Sequence, residues 1–207
     1  MSLIFYTNPM SRGQIARWML EEVGQPYEQV LVEYGPEMKS ADYLAINPMG
    51  KVPALAHNGH VVTEAAAICA YLAEAFPEAK LAPTAEERAD YYRWLFFTAG
   101  PLEQAITNKS VFQLEPDAKQ QATAGYGSYE AAVDAIEYAV SGKDFVCGAR
   151  FTAADVYVGS SVDWGLQFGT IPTRPAFEAY AERLRQRKAY TKAKAIDQEL
   201  IAAQQGA

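Results

Sequence analysis

Hydrophobic and polar positions alternate between two rhythms along the first 76 residues. Residues 3–7 (LIFYT) are an unbroken apolar and aromatic run that reads as a buried strand, and Asn8-Pro9 breaks it. Ser11-x-x-Gln14 then has the form of a capping box. Ile15, Trp18, Met19 and Val23 follow at helical spacing, and Gly24 and Pro26 stop the helix. Residues 27–32 predict a second strand, so strand, helix and strand in this order predict a right-handed parallel crossover. Residues 36–46 predict a short, irregular helix. Two more strands, 52–56 and 60–63, flank His57-Asn58-Gly59-His60, and Asn-Gly is the strongest short hairpin signal. An alanine-rich helix over 64–76 completes a βαβ-ββα order, which predicts one mixed sheet with helices packed on it.

The rhythm changes at Phe76. Pro77, Pro83 and intervening polar residues form a linker, and Thr84-x-x-Glu87 is a second capping box. Beyond it only the helical period recurs, near 85–114, 117–140, 153–168, 174–187 and 189–204. Gly100-Pro101 should interrupt the first of these helices. The pattern therefore predicts a small α/β domain over 1–77 and an all-helical domain over 85–207.

Composition narrows the function classes. The chain has 207 residues, half of them hydrophobic and 21% charged, as in an ordinary globular protein with a real core. Its net charge of −7 argues against nucleic acid and against anionic membrane surfaces, both of which need basic patches. No basic segment followed by an apolar one opens the sequence, so no secretory leader is expected, and no apolar run approaches the ~20 residues of a membrane span. The two cysteines, Cys69 and Cys147, form neither a redox pair nor a metal-ligand spacing, so a reduced, cytoplasmic setting is expected. No metal site is expected. His57 and His60 flank the hairpin turn and should be exposed.

The densest chemical signal is Asn47-Pro48-Met49-Gly50-Lys51-Val52-Pro53-Ala54-Leu55. Proline lacks a backbone donor, so two prolines at the start of a strand need an explanation. If Val52-Pro53 is cis, the main chain of Val52 faces outward and can pair with an extended peptide, as a strand would. If it is trans, the segment is a loop-to-strand junction. The residues alone leave both open.

Four features in register now resemble the cytosolic glutathione transferases over nearly the whole chain, in their bacterial, serine-type, theta- or beta-like form. They are Phe5-Tyr6-x-x-x-x-Ser11-Arg12; Asn47-Pro48-x-Gly50-Lys51-Val52-Pro53-Ala54-Leu55; Glu64 with Ala67-Ile68 and Tyr71-Leu72 beyond it; and Thr152-x-x-Asp155 after Phe145-Val146-Cys147-Gly148. The resemblance implies a thioredoxin-like N-terminal domain, an all-α C-terminal domain and a homodimer. It implies glutathione as cosubstrate, with no other cofactor.

The resemblance also assigns roles. Ser11 is expected at the N-terminus of the first helix, where a hydroxyl and the helix dipole stabilise the glutathione thiolate against a free-thiol pKa near ~8.5. The same hydroxyl fits a backbone cap, and one hydroxyl does not easily serve both. Tyr6 is the rival donor, and Ser11 is ranked above it. Val52 pairs with the cysteinyl part of glutathione, and Pro53 keeps that geometry. Lys51 and Lys39 offer charges for glutathione carboxylates, with solvated loop lysines as the alternative. Arg12, a cation at a helix start, would focus positive potential on the site. Glu64 faces the γ-glutamyl ammonium. At position 65 the family usually has a serine that holds the γ-glutamyl carboxylate; here Ala65 keeps the N–H and lacks the hydroxyl. Thr152 and Asp155 are folding determinants. Met10, Phe97, Trp164 and Phe168 are candidates to line a second-substrate pocket, with core packing as the alternative.

The sequence thus predicts a glutathione transferase in which the thiolate attacks a small hydrophobic electrophile. A glutathione-dependent disulfide reductase and a non-catalytic binding protein on the same fold are the alternatives, the last kept open by Ala65.

Overall fold

A computed structural model describes residues 2–205. Strands β1 (Leu3–Thr7), β2 (Glu28–Leu31), β3 (Ala54–His57) and β4 (His60–Thr63) form one sheet in the order β2-β1-β3-β4. β1 and β2 are parallel across helix α1 (Gly13–Val23); β1–β3 and β3–β4 are antiparallel. Asn58 and Gly59 both have positive φ, 51° and 84°, as the tight turn between β3 and β4 requires. A 3₁₀ turn (Glu37–Lys39) and helix α2 (Ala41–Ile46) form the irregular segment, and helix α3 (Ala65–Ala75) follows β4. β1 alternates buried and half-buried residues. Phe5 is fully buried, with the Tyr27 ring edge-on at 6.0 Å and the Arg17 guanidinium 5.3 Å from its centroid, and α1 and α3 pack on the sheet and add Met19, Leu20, Ile68 and Leu72 to the core. Tyr6 packs instead with Val32, Met38, Tyr43, Ile46 and Val52.

The chain divides into two compact units, Met1–Ala82 with Gln186–Ala207, and Pro83–Arg185. This differs from the predicted 1–77 and 85–207 in its last element. Helix α10 (Lys188–Gln205) packs on α1 and belongs to the α/β unit. The reason is a buried ion pair: Arg17 Nε donates to Asp197 Oδ1 at 2.7 Å, with both side chains almost wholly buried.

The second unit holds the helices α4 (Arg88–Phe97), α5 (Glu103–Ser110), α6 (Ala118–Thr123), α7 (Tyr129–Val140), α8 (Ala153–Phe168) and α9 (Pro175–Arg185). Between α4 and α5 lies a π-helical turn, Thr98–Leu102, containing Gly100 and Pro101. Pro101 has no N–H for the helical ladder, and the wider turn absorbs it. The helix predicted over 117–140 is two helices. Asp117 caps α6, and Ser128 caps α7 by accepting from the Ala131 N–H at 3.1 Å.

Asp155 is the polar hub of this unit. Its buried carboxylate accepts from Val146 N–H (2.7 Å), Thr152 N–H (2.9 Å), Thr152 Oγ1 (3.1 Å) and Tyr180 Oη (2.8 Å). Thr152 and Asp155 are thus the folding determinants expected. His57 is buried, contrary to expectation, and His60 is exposed. His57 Nδ1 lies 2.9 Å from Tyr71 Oη, Nε2 lies 3.1 Å from Asn58 Nδ2, and the ring packs on Phe76. Cys69 is a fully buried core residue, and burial raises its thiol pKa.

Candidate active site

Register brings the signals of the α/β unit to one edge of the sheet. Tyr6 pairs with Val30 and with Ala54, and Ala54 pairs with Thr63. The end of β1, the end of β2, the start of β3 and the end of β4 therefore coincide. The segments that leave them carry Ser11, Tyr34, Val52-Pro53 and Glu64-Ala65.

After β1, buried Asn8 anchors the turn into α1. Its Nδ2 donates to the Val32 carbonyl at 3.2 Å, and its Oδ1 accepts from the Met10 N–H at 3.0 Å. Ser11 is partly exposed. Its hydroxyl donates to the Asn8 carbonyl at 2.6 Å and accepts from the Gly13 N–H at 2.9 Å. The predicted capping box does not form, because Gln14 turns its side chain to the Pro9 carbonyl at 2.6 Å. Gly13 permits this crowding: a Cβ there would stand 2.0 Å from Thr7 Oγ1 and 2.9 Å from Ser11 Oγ. Arg12 is exposed at the first residue before α1. Tyr6, the rival donor, is half-buried, with its ring 6.0 Å from that of Tyr43.

The Val52–Pro53 bond is cis. Three consecutive carbonyls before it are held by side chains. Lys39 Nζ donates to the carbonyls of Met49 (2.9 Å) and Gly50 (2.8 Å). Tyr43 Oη and Asn47 Nδ2 both donate to the Lys51 carbonyl at 2.7 Å. Asn47 Oδ1 also accepts from the Met49 N–H at 3.1 Å. Burial, and then the neighbouring Tyr6 phenol, push the Tyr43 hydroxyl up to about 12, so it remains a donor. Lys39, expected to meet a carboxylate, thus spends its ammonium on the loop itself. Lys51 is exposed. Among the described residues no hydrogen bond engages the Val52 main chain.

Glu64 precedes α3 with φ 68° and ψ 120°, a conformation that costs a non-glycine residue about 1–3 kcal/mol. Such strain persists only where surrounding structure enforces it. Here it turns the exposed Glu64 side chain out while Ala65, buried, opens the helix. The first N–H groups of α3 have no carbonyl partner within the helix, which is what makes a helix start receptive to a carboxylate.

The four second-substrate candidates divide between the units. Met10 is exposed in the α/β unit. In the helical unit, Phe97 and Trp164 are half-buried on α4 and α8, Phe97 with its ring 5.6 Å from that of Trp94. Phe168 is 72% exposed at the end of α8. Reasoning from the sequence missed Asn8, Tyr43 and the side-chain role of Asn47. Only an Asn preceding Pro, at positions 8 and 47 alike, signalled a side chain folding back on its own turn.

A four-stranded α/β unit with a peptide-like edge, joined to an all-helical unit, defines a class of thioredoxin-like proteins with a helical second half. The family description "Glutathione S-transferase, N-terminal domain" matches residues 1–74. Glutathione S-transferase D7 of Drosophila melanogaster is 31% identical over 172 residues, 79% of this chain and 76% of its own length. Glutathione S-transferase GstA of Escherichia coli O157:H7 is 29% identical over 150 residues, 70% and 73% of the two chains. A solved glutathione transferase homolog from Sulfitobacter, with bound glutathione, has a TM-score of 0.76 and 25% identity, covering 94% of this chain and 97% of its own. The chain belongs to the glutathione S-transferase family.

Proposed function

We propose that this protein joins the thiolate of glutathione to a small hydrophobic electrophile, working in the cytoplasm as a homodimer. The observation that carries the proposal is the convergence of three segments at one sheet edge: the Ser11 turn, the Val52-Pro53 loop and the start of α3. An extended tripeptide needs a main-chain partner at its centre and an anion site for its γ-glutamyl end, and its sulfur needs a positive environment. Val52 supplies the first and the α3 N–H groups the second. The start of α1, with Ser11, supplies the third.

Ser11 activates the sulfur in this scheme. Its hydroxyl accepts from the Gly13 N–H, which polarises the O–H and makes it a better donor. Rotation about Cβ–Oγ moves the hydrogen from the Asn8 carbonyl to the sulfur and leaves the Gly13 bond in place. The thiol proton leaves to solvent, the thiolate attacks the electrophilic carbon, and the leaving group departs with the electron pair of the broken bond. Tyr6 packs beside Tyr43 and serves the loop.

Ala65 weakens the γ-glutamyl end. A hydrogen bond to a charged group contributes about 1.5–3 kcal/mol, so affinity should be about ten-fold or more below that of a serine-bearing site. This specific departure supports a second reading, a non-catalytic binding protein on the same fold.

The test is conjugation of glutathione to a chloronitrobenzene-type electrophile by wild type, Ser11→Ala, Tyr6→Phe and Ala65→Ser. The proposal expects a large loss of kcat in Ser11→Ala, near-wild-type rates in Tyr6→Phe and a lower glutathione KM in Ala65→Ser. An active Ser11→Ala beside a dead Tyr6→Phe reverses the assignment. Binding without turnover by wild type favours the second reading.

A further inference from the structure

Helix α10, together with Arg187 just before it, grips α1 at several points. Arg187 donates to Glu22 through Nε (2.6 Å) and Nη2 (2.7 Å), Lys192 Nζ stands 2.6 Å from Glu21, and Asp197 accepts from Arg17. The Tyr190 ring meets Trp18 edge-on at 5.1 Å. These contacts hold the body of α1. A further one leads elsewhere: Lys194 Nζ donates to Gln14 Oε1 at 2.8 Å.

Gln14 uses both ends of its carboxamide. Oε1 accepts from Lys194, and Nε2 donates to the Pro9 carbonyl at 2.6 Å. An ammonium can only donate and a carbonyl can only accept, so this pair of neighbours permits one orientation of the amide. With the ammonium gone, the Pro9 carbonyl would be the carboxamide's single remaining anchor of the two, and the Gln14 side chain would be held less firmly over the turn. Pro9 begins the turn in which Met10 N–H meets Asn8 Oδ1 and Ser11 Oγ meets the Asn8 carbonyl.

We propose that Lys194 is a positioning residue for the thiol site: through Gln14 it fixes the Pro9–Ser11 turn at the start of α1. The last helix of the chain is then a component of the glutathione-activating site. This rests on the reading of the Ser11 turn as that site. Lys194 also lies 5.6 Å from the Tyr190 ring centroid and near the Asp197 carboxylate, which it helps to hold charged.

Gln14→Glu separates positioning from structure. A carboxylate keeps and strengthens the contact to Lys194, so the α1–α10 packing survives, but it cannot donate to the Pro9 carbonyl. Kinetics, thermal melting and the pH dependence of the bound thiol should be measured for wild type, Lys194→Met, Lys194→Arg, Gln14→Glu and Lys192→Met. Lys194→Met and Gln14→Glu should lose roughly ten-fold in kcat/KM, mostly in kcat, because a small misplacement of a reacting group is costly. Their bound-thiol pKa should rise, Lys194→Arg should restore much of the rate, and Lys192→Met should match wild type. Wild-type kcat and thiol ionisation in both Lys194→Met and Gln14→Glu would overturn the inference alone. So would an equal loss in Lys192→Met. A wild type that binds no glutathione would remove the thiol-site reading and this inference with it.

Discussion

Asn47 ties the proposed glutathione loop with one side chain, accepting from the Met49 N–H and donating to the Lys51 carbonyl. Tyr43 shares that carbonyl, and its phenol, raised to about 12 by burial and then by Tyr6, stays protonated across the working pH range. Losing Tyr43 Oη leaves Asn47 still on the carbonyl, so Tyr43→Phe should cost about 1 kcal/mol, read as a several-fold rise in glutathione KM. Asn47→Ala removes two bonds from a buried position and should raise KM further. Gly50 is the steric limit of the same loop. Its φ is 54°, and a Cβ there would lie 2.7 Å from the Met38 carbonyl and 2.8 Å from Lys39 Nζ. Gly50→Ala should lower stability by about 1–3 kcal/mol in urea unfolding. The motif at 47–55 was legible in the sequence because proline and glycine announce special backbone. The donors that hold it were not: Tyr43 looks like any apolar helix residue, and the engagement of Lys39 with backbone carbonyls has no local signature.

At the scale of elements, the Thr84-x-x-Glu87 box forms: Thr84 N–H donates to Glu87 Oε2 at 2.8 Å. The same carboxylate receives the Arg150 guanidinium. The Arg150 hydrogen bond holds the Glu87 carboxyl below the ordinary range against the opposing pull of burial, with Thr84 assisting. A lowered folded pKa means that the clamp contributes fully above the ordinary carboxylate pKa and is lost as pH falls through the lower folded value. Wild type should therefore melt above Arg150→Met at neutral pH, and the gap should close in acid. Strand and helix identities were largely legible here, because periods of two and 3.6 are distinct. The break between α6 and α7 was missed because the apolar spacing runs through it, although Gly125, Gly127 and Ser128 marked it. Gly100-Pro101 marks the interruption in the sequence itself, since proline cannot donate to the ladder.

For the whole molecule, the least legible feature is the place of α10. Arg17 lies among the apolar residues of α1 with no local mark of its partner, and it is buried on Asp197, 180 residues away. Burial raises the Asp197 carboxyl, and Arg17 pulls it back. Asp197→Ala would leave a buried, unpaired guanidinium and should destabilise the protein by about 3–5 kcal/mol in chemical denaturation. The chain thus returns to its first unit, and the α/β unit is incomplete without its final helix. No helix among the described residues is long and apolar enough to cross a membrane.

The central claim is that one sheet edge binds glutathione and ionises its sulfur at Ser11. Its most direct test is a pH titration of thiolate absorbance for glutathione bound to wild type and to Ser11→Ala. The account predicts that the wild-type bound thiol ionises well below the free value near ~8.5 and that Ser11→Ala moves it back toward that value. A bound thiol that ionises like free glutathione in wild type, or a lowered pKa that survives in Ser11→Ala, would contradict it.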